Sequence, residues 1–406
     1  MDAAAQKRLK SYFDALGDIL APDGRHDGRR ENFALYAWGL FSMAERKSME
    51  PIATSGCEPR LADAAHQRVQ HFVTDSGWSD SRIRIHASRY AIDAMTEHGE
   101  VRSWIIDDTG FLKQGEHSVG VQRQYTGTAG KITNCQVGVS LTVATAQDHV
   151  LVDMDLYLPD CWASDRRKRR EAKIPDDVVF RTKPEIALDL IRRAVDADLP
   201  RGWLLADEAY GNSSEFREGV RQLGLDFAVA INSTTNVWVV DAFGRRRGAA
   251  ASAAELASRE LWRGNFRKIT WREGTNDPLC ARFAFVPVVP VHDDGHEPSR
   301  RERLWLVCEW RYGELGPAHF YFVTFKRIPY KAIVLIIKER WRTERVYQDA
   351  KGELGLDHFE GRRYRGWQHH VSVVIACYAF LVAERGRAFP PSTVRSPQDH
   401  ALSLAA

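Results

Sequence analysis

Two pairs of acidic residues follow apolar segments that have the pattern of buried strands. Asp107 and Asp108 end the segment "SWIIDD", and Asp207 and Glu208 end the segment "WLLADE". Two adjacent carboxylates repel each other and are costly to desolvate, so such a strand end is either a polar turn or part of a cation site. Ligands in α/β sheets gather at the carboxyl ends of strands, which makes Asp107 and Asp207 candidate ligands. Aspartate also begins turns and caps helices, so either residue alone has an equally good structural explanation.

A third acid lies in a long segment with helical periodicity. On a helix of 3.6 residues per turn, Arg340, Glu344 and Lys351 fall within about 40° of one another. Ile333 and Ile337 continue the same stripe. Glu344 is therefore an acid flanked by bases on one helix face. The structural alternative is an intrahelical ion pair between Arg340 and Glu344.

Taken together, these residues fit one chemistry. Three carboxylates, from Asp107, Asp207 and Glu344, form a set of hard oxygen ligands suited to Mg²⁺ or Mn²⁺. Two such ions can activate a water or a 3′-hydroxyl and stabilise the leaving oxygen of a phosphodiester. Arg340 and Lys351 would hold phosphates near the ions. This combination requires a nucleic-acid substrate.

The elements that must position these residues change in character along the chain. Residues 1–100 are mostly helical by periodicity and are predicted to form a domain that binds DNA. After residue 100 the pattern predicts three strands, a helix, a strand, a helix and a strand. We therefore predict an α/β fold with the following parts: a helical domain 1–100, a core whose first part is 101–233, a β-rich insertion 234–325, the last part of the core 326–387, and a loose tail 388–406.

The composition is that of a globular protein, with 406 residues, 44% hydrophobic and 27% charged. No apolar run approaches the roughly 18–20 residues that span a bilayer, so we expect no membrane association. The six cysteines include no Cys-x-x-Cys pair, and the first twenty residues lack the layout of a secretory signal. The expected location is a reducing cytoplasm.

Basic residues are clustered, although the net charge is only +3. The clusters are "DRRKRREAK" (165–173), "GRRRG" (244–248) and "EGRRYRGW" (360–367). Arginine near aromatic side chains suits phosphate backbones, which favours a nucleic-acid partner. For any one cluster, a solvated loop is the alternative.

The chain resembles bacterial insertion-sequence transposases of the DDE type. The resemblance runs from about residue 30 to 385 and depends on "IIDDTG", "LLADEAYGN" and "RWRTERVYQDAKGELGLDHFEGR". One branch of these enzymes has the signature Tyr-x₂-Arg-x₃-Glu-x₆-Lys. Arg340, Glu344 and Lys351 match it in type and spacing, whereas Ile337 replaces the tyrosine.

The resemblance implies a ribonuclease H-like catalytic core, a β-rich insertion between the second and third acids, and two divalent ions, Mg²⁺ or Mn²⁺. It also implies a polynucleotidyl transferase that cleaves DNA at terminal inverted repeats and joins the 3′-hydroxyls to target DNA at the bacterial nucleoid. A homodimer is expected in the synaptic complex. The family pattern Asp-x-Thr favours Asp107 as the ligand. Asp108 is left as an alternative ligand, or as a residue that supports the site by bonding the backbone amides of a "TGF" turn.

Two other functions remain open from the sequence. One is a domesticated or degenerate relative that binds DNA as a regulator. Ile337 in place of the signature tyrosine is compatible with this function. The other is a metal-dependent nuclease that cuts DNA without joining it, because both activities would use the same acids. His117, His369 and His370 are not assigned a role.

Overall fold

The computed structural model describes residues 2–22, 28–55, 61–258, 264–272, 278–291 and 303–389. These residues divide between two compact units. The first unit takes the chain up to Val101, then Asp107–Leu199 and the segment from Arg342 onward. The second takes Arg102–Ile106 and Pro200–Trp341. The chain first passes from one unit to the other within a strand, which therefore contributes residues to both.

The first unit begins with helices whose buried faces are apolar. Asp2 and Ser79 cap the first and the fifth of them through their side-chain oxygens. The helices are α1 (Ala3–Leu20), α2 (Arg29–Phe41), α3 (Met49–Ser55), α4 (Ala62–Thr74) and α5 (Asp80–Thr96).

The strands of the first unit are β1 (Ser103–Leu112, from Asp107 on), β2 (Gln122–Thr126), β3 (Lys131–Ala144) and β4 (His149–Tyr157). β3 and β4, the two longest strands that lie wholly in the first unit, are buried along most of their length, as expected of strands that are covered on both faces. β3 pairs antiparallel with both β2 and β4 and neighbours β1. The following helices are α6 (Asp160–Ala163), α7 (Arg166–Glu171) and α8 (Lys183–Asp196).

Two helices close the first unit, α13 (Trp341–Leu354, from Arg342 on) and α14 (Tyr364–Ala388). α14 is buried along most of its length and packs against α5, β4, α2 and α4. Arg84 of α5 is 4% exposed and donates to Ser372 and Gln368 of α14. The domain boundary near residue 100 stays a prediction. α5, which precedes this boundary, packs in the same unit as α14.

The second unit is organised around a sheet with the order β1-β5-β6-β12-β11-β10-β7-β8, in which β9 also pairs with β10. β1, β5 and β6 are mutually parallel, and the later pairs are antiparallel. The elements are β5 (Trp203–Ala206), α9 (Glu208–Gly211), α10 (Ser214–Gln222), β6 (Phe227–Ile231), β7 (Asn236–Val240), β8 (Arg246–Ser252), α11 (Ala253–Ser258), β9 (Arg267–Arg272), β10 (Leu279–Pro290), β11 (Leu304–Trp310), β12 (His319–Thr324) and α12 (Tyr330–Ile337).

The structure confirms a mixed α/β fold, and strands β7 to β12 lie in the segment predicted to be β-rich. Among the described residues, no helix is long and apolar enough to cross a membrane. Of the tail predicted to be loose, residues 390–406 lie outside the described residues.

The long helix predicted around Glu344 is wrong in one respect, because it is two α-helices. α12 ends at Ile337, a 3₁₀ turn occupies Lys338–Arg340, and α13 begins at Trp341. Lys338 in this turn pairs at 2.5 Å with the carboxylate of Glu309, which is fully buried on β11. A 3₁₀ turn has about three residues per turn, so the regular 3.6-residue period assumed from Ile333 to Lys351 is interrupted at Lys338–Arg340.

Candidate active site

Asp107 and Asp108 occupy the middle of β1, and both are half-buried. Successive side chains of a strand project to opposite faces, so the two carboxylates meet different surroundings. Asp108 Oδ2 accepts a hydrogen bond from Lys183 Nζ at 2.9 Å. Asp107 Oδ1 accepts one from the backbone N–H of Asp108 at 2.8 Å. The ammonium of Lys183 therefore balances the charge of Asp108.

The predicted turn after Asp108 is wrong. Thr109, Gly110 and Phe111 continue β1, which ends at Leu112. The Asp108 carboxylate consequently accepts from Lys183 of α8, and the backbone after it forms no turn.

Lys183 is placed by the cap of α8. Thr182 accepts from the backbone of Glu185, and the Glu185 carboxylate accepts from the backbone of Thr182, which forms a capping box. Pro184 adds a backbone angle that already suits the first helical turn. Lys183 is the first residue of α8, and the capping box fixes the backbone of this first turn. The backbone from which the Lys183 side chain extends to Asp108 is therefore held in place. The sequence analysis missed Lys183, which carries no motif signal.

Lys351 lies beside the same strand. Its Nζ donates to Thr109 Oγ1 and to the carbonyl of Gly110, both at 2.8 Å, and is 3.4 Å from Thr128 Oγ1. Burial lowers the pKa of Lys351. A lysine ammonium has three donors, and these acceptors can take all of them. Lys351 therefore ties α13 to β1, one residue beyond Asp108.

Gly110 permits the close approach that completes this arrangement. A Cβ at this position would lie 2.0 Å from Thr126 Oγ1 and 2.8 Å from Thr126 Cβ on β2. Thr128, in the turn after β2, also accepts from the Gly110 N–H at 3.2 Å. The glycine of "DDTG" is thus required by packing between the acidic strand and the β2–β3 hairpin.

Glu344 is exposed on α13, while its helix is anchored by buried hydroxyl groups. Tyr347 Oη lies 2.6 Å from Ser140 Oγ, and Thr343 Oγ1 lies 3.2 Å from Thr142 Oγ1, so the helix rests on β3. Burial, followed by the charge of Asp107, raises the pKa of Tyr347. The first unit thus brings Asp107, Glu344 and Lys351 onto two elements, β1 and α13, that pack in one region. Sequence reasoning missed the anchoring role of Thr343 and Tyr347.

Asp207 belongs to the second unit. It follows β5, whose four residues are all buried, and its side chain caps α9 by accepting from the Ala209 N–H at 3.0 Å. Gly211 allows α9 to lie close on β6, because a Cβ there would be 1.9 Å from the carbonyl oxygen of Ala230. Glu208 is exposed in the first turn of α9.

Arg340 is also in the second unit, in the 3₁₀ turn and half-buried. Glu344 lies four residues further along the chain, in α13.

The donor set proposed for a metal consists of carboxylate oxygens alone, the ligand type that Mg²⁺ and Mn²⁺ accept most readily. Asp107 is half-buried and Glu344 is exposed, so both can be reached from solvent. In the part of the chain that the structure describes, no group of three or more His, Cys, Asp or Glu side chains is close enough to hold one ion.

The two adjacent histidines are core residues. His369 stacks on Trp78 with ring centroids 3.7 Å apart and bonds the Val73 carbonyl, and His370 bonds Tyr36 Oη at 2.8 Å. Burial lowers the pKa of each to about 4. Both rings are therefore neutral near pH 7 and serve packing. His117 is exposed.

Comparison with known proteins places the chain in a family. Residues 12–278 match the DDE superfamily endonuclease family, which is more than half of the chain. The chain belongs to this family. The matched segment includes Asp107, Asp108 and Asp207, and it ends before Glu344.

The chain is also similar to a probable transposase for insertion sequence element IS701 from Microchaete diplosiphon. The two are 29% identical over 212 residues, which cover 52% of this chain and 51% of that protein. The chain thus matches about half the length of this relative.

Proposed function

We propose that this DDE superfamily endonuclease is a DNA transposase. In this proposal Asp107, Asp207 and Glu344 hold one or two Mg²⁺ or Mn²⁺ ions and cleave DNA at the ends of a mobile element. The freed 3′-hydroxyls are then joined to target DNA. Family membership and the similarity to a probable insertion-sequence transposase support the reaction class.

The pairing of β1 with β5 is the observation that carries the choice of acids. The strands are parallel, with Ser103 opposite Trp203, Trp104 opposite Leu204 and Ile105 opposite Leu205. Asp107 and Asp207 each come two residues after the last of these pairs. Ligands in α/β sheets gather past the carboxyl ends of parallel strands, and the two acids occupy equivalent positions along their own strands.

The other charged residues have distinct tasks in this proposal. Asp108 is engaged by Lys183, which leaves Asp107 as the acid of that pair assigned to the ion. Lys351 positions α13 against β1, and Arg340 is proposed to contact phosphate. When bound, the ions would activate a water or a 3′-hydroxyl and stabilise the leaving oxygen of the phosphodiester.

The fold pairings support a ribonuclease H-like core as the finer description. β3 and β4 are antiparallel and β3 neighbours β1, while β1, β5 and β6 are parallel strands with helices between β5 and β6. The proposed substrates are terminal inverted repeats and target DNA, both double-stranded. We propose a homodimer in the synaptic complex, and action at the bacterial nucleoid.

The test is cleavage and strand transfer by the full chain on a duplex that carries the terminal sequence of the encoding element, with Mg²⁺ or Mn²⁺. We expect Asp107→Asn, Asp207→Asn and Glu344→Gln each to lower cleavage by about 1000-fold, because a carboxylate ligand is lost. The matched controls are neighbouring acids, Asp108→Asn, Glu208→Gln and Glu353→Gln. These should keep at least about a tenth of the wild-type rate.

Each of the other outcomes has a definite meaning. A loss with Asp108→Asn and not with Asp107→Asn would exchange the two assignments. Cleavage without joined product in the wild type would favour a nuclease. Specific binding without any metal-dependent product would favour a regulator. Equal activity of Asp207→Asn and wild type would reject the three-acid site.

A further inference from the structure

A cleft in the first unit lies between α7 and the segment that follows it. It has a volume of about 950 Å³ and is lined by basic residues from "DRRKRREAK", including Arg166, Arg169, Arg170 and Lys173. Asp160 and Asp176 also line it, so the lining carries an excess of two positive charges. We call this the α7 cleft.

The walls of the α7 cleft are fixed by one arginine. Arg169 Nη1 donates to the carbonyl oxygens of Ala163 (3.1 Å) and Val178 (2.8 Å), and Nη2 donates to that of Pro175 (2.7 Å). These bonds join α6, α7 and the following segment. Asp165 caps α7 by accepting from the backbone of Arg167 at 2.8 Å. The cleft is therefore a built feature, and Arg169 is occupied in building it.

Arg166 and Arg170 differ from Arg169. Both are exposed and line the cleft, and neither has a side-chain hydrogen bond or ion pair with any residue in the described ranges. Arg167 also projects from α7, but it does not line the cleft, and its side chain pairs with Glu171 at 2.8 Å. α7 thus presents Arg166 and Arg170 to the cleft with no partner among the described residues, and it carries one paired arginine, Arg167, outside the cleft.

The cleft is connected to the acidic strand by packed side chains within the first unit. Phe180 at its rim contacts Tyr157, with ring centroids 6.4 Å apart. Lys183 Nζ lies 5.9 Å from the Tyr157 ring centroid and 2.9 Å from Asp108 Oδ2. The cleft and Asp108 are therefore linked through three side chains, those of Phe180, Tyr157 and Lys183.

A second basic cluster, in residues 362–365, is linked to the cleft through Lys173, which lines it. Lys173 pairs with Asp75 at 3.1 Å, and Arg363 pairs with the same carboxylate. Arg362 and Arg365, beside Arg363, are exposed. Two of the three arginine clusters in the sequence are thus brought to one surface through Asp75.

We propose that the α7 cleft binds the phosphate backbone of double-stranded DNA, with Arg166 and Arg170 as the contacting residues. The inference rests on the proposed DNA transposase function and adds a DNA-contacting surface outside the acidic site. Guanidinium groups match phosphate oxygens in geometry and charge, and such contacts position a duplex without reading its sequence. Each contact releases counterions, so binding should depend on salt.

The test is fluorescence anisotropy of the full chain with a labelled 30-base-pair duplex of arbitrary sequence, in EDTA, across a range of NaCl concentrations. We expect the slope of log affinity against log salt to become shallower by about 0.9 for Arg170→Gln and by about 1.8 for Arg166→Gln/Arg170→Gln. Arg167→Gln removes the same charge from the same helix and should leave the slope near that of the wild type. Arg170→Lys should keep most of the slope.

Equal slopes for Arg170→Gln and Arg167→Gln would overturn the proposal. Because EDTA removes the ions, this measurement does not depend on the acidic site. If Arg170→Gln makes the salt slope shallower and the wild-type chain cuts no DNA, DNA binding by the cleft is retained and the proposed transposase function is rejected. If the wild-type chain cuts DNA but Arg170→Gln and Arg167→Gln have identical slopes, the transposase function is retained and DNA binding by the cleft is rejected.

Discussion

The basic residues beside β1 and those in the α7 cleft differ in whether they have hydrogen-bond or ion-pair partners among the described residues. Lys351 directs its ammonium to Thr109, Gly110 and Thr128, and Lys183 pairs with Asp108. Arg166 and Arg170 in the cleft have no such partner among the described residues. A basic residue close to the candidate active site can thus be occupied by groups of the protein itself, whereas Arg166 and Arg170 are the residues for which we propose phosphate contacts.

The largest effect on stability is expected from substitution of Lys351. Lys351→Met removes a donor from Thr109 and Gly110 and leaves their oxygens unsatisfied in a partly buried place. We expect the free energy of unfolding to fall by about 2 kcal/mol, measured by urea denaturation. Lys7→Met, at an exposed position of α1, is the control and should change it by less than about 0.5 kcal/mol. Equal stability of the two variants would show that Lys351 does not hold α13 to β1.

Lys113, just after β1, gives a prediction for pH. Its Nζ donates to the Phe359 carbonyl at 2.6 Å, and burial lowers its pKa from 10.5 to about 8. Below pH 8 both the folded and the unfolded chain hold the proton. Between pH 8 and 10.5 the unfolded chain binds more protons, so this residue makes the free energy of unfolding rise with pH.

The measurement is urea denaturation at several pH values across that window. Lys113→Met should remove the contribution, so the difference in stability between wild type and variant changes with pH. A difference that stays constant from pH 8 to 10.5 would contradict the lowered pKa.

The smallest effect is expected for the Lys183–Asp108 pair. The two side chains are 28% and 19% exposed, so solvent screens their attraction. A double-mutant cycle with Lys183→Met and Asp108→Asn should give a coupling energy of about 0.5–1 kcal/mol. A coupling energy of zero would show that Lys183 does not distinguish Asp108 from Asp107.

Local pattern was sufficient for most of the core elements. The apolar run before Asp107, the alternation in β3 and β4, and the helical period of α8 predicted elements that the structure contains. The pattern missed β2 and the short helices α6 and α7, because a five-residue strand with exposed polar positions and one-turn helices have little periodicity. It also predicted α12 and α13 as one helix, because no glycine or proline marks the 3₁₀ turn between them.

The sequence by itself determined which residues could do the chemistry: acids after apolar strands, an acid on a helix, and clustered arginines. Only the tertiary structure decided their partners. Lys183 and Asp108 are 75 positions apart, and Lys351 and Thr109 are 242 apart. Asp75 joins two arginine clusters in the same way. Periodicity reports which face of an element is buried, whereas hydrogen bonds and ion pairs form between side chains that only the packed chain brings within a few ångströms.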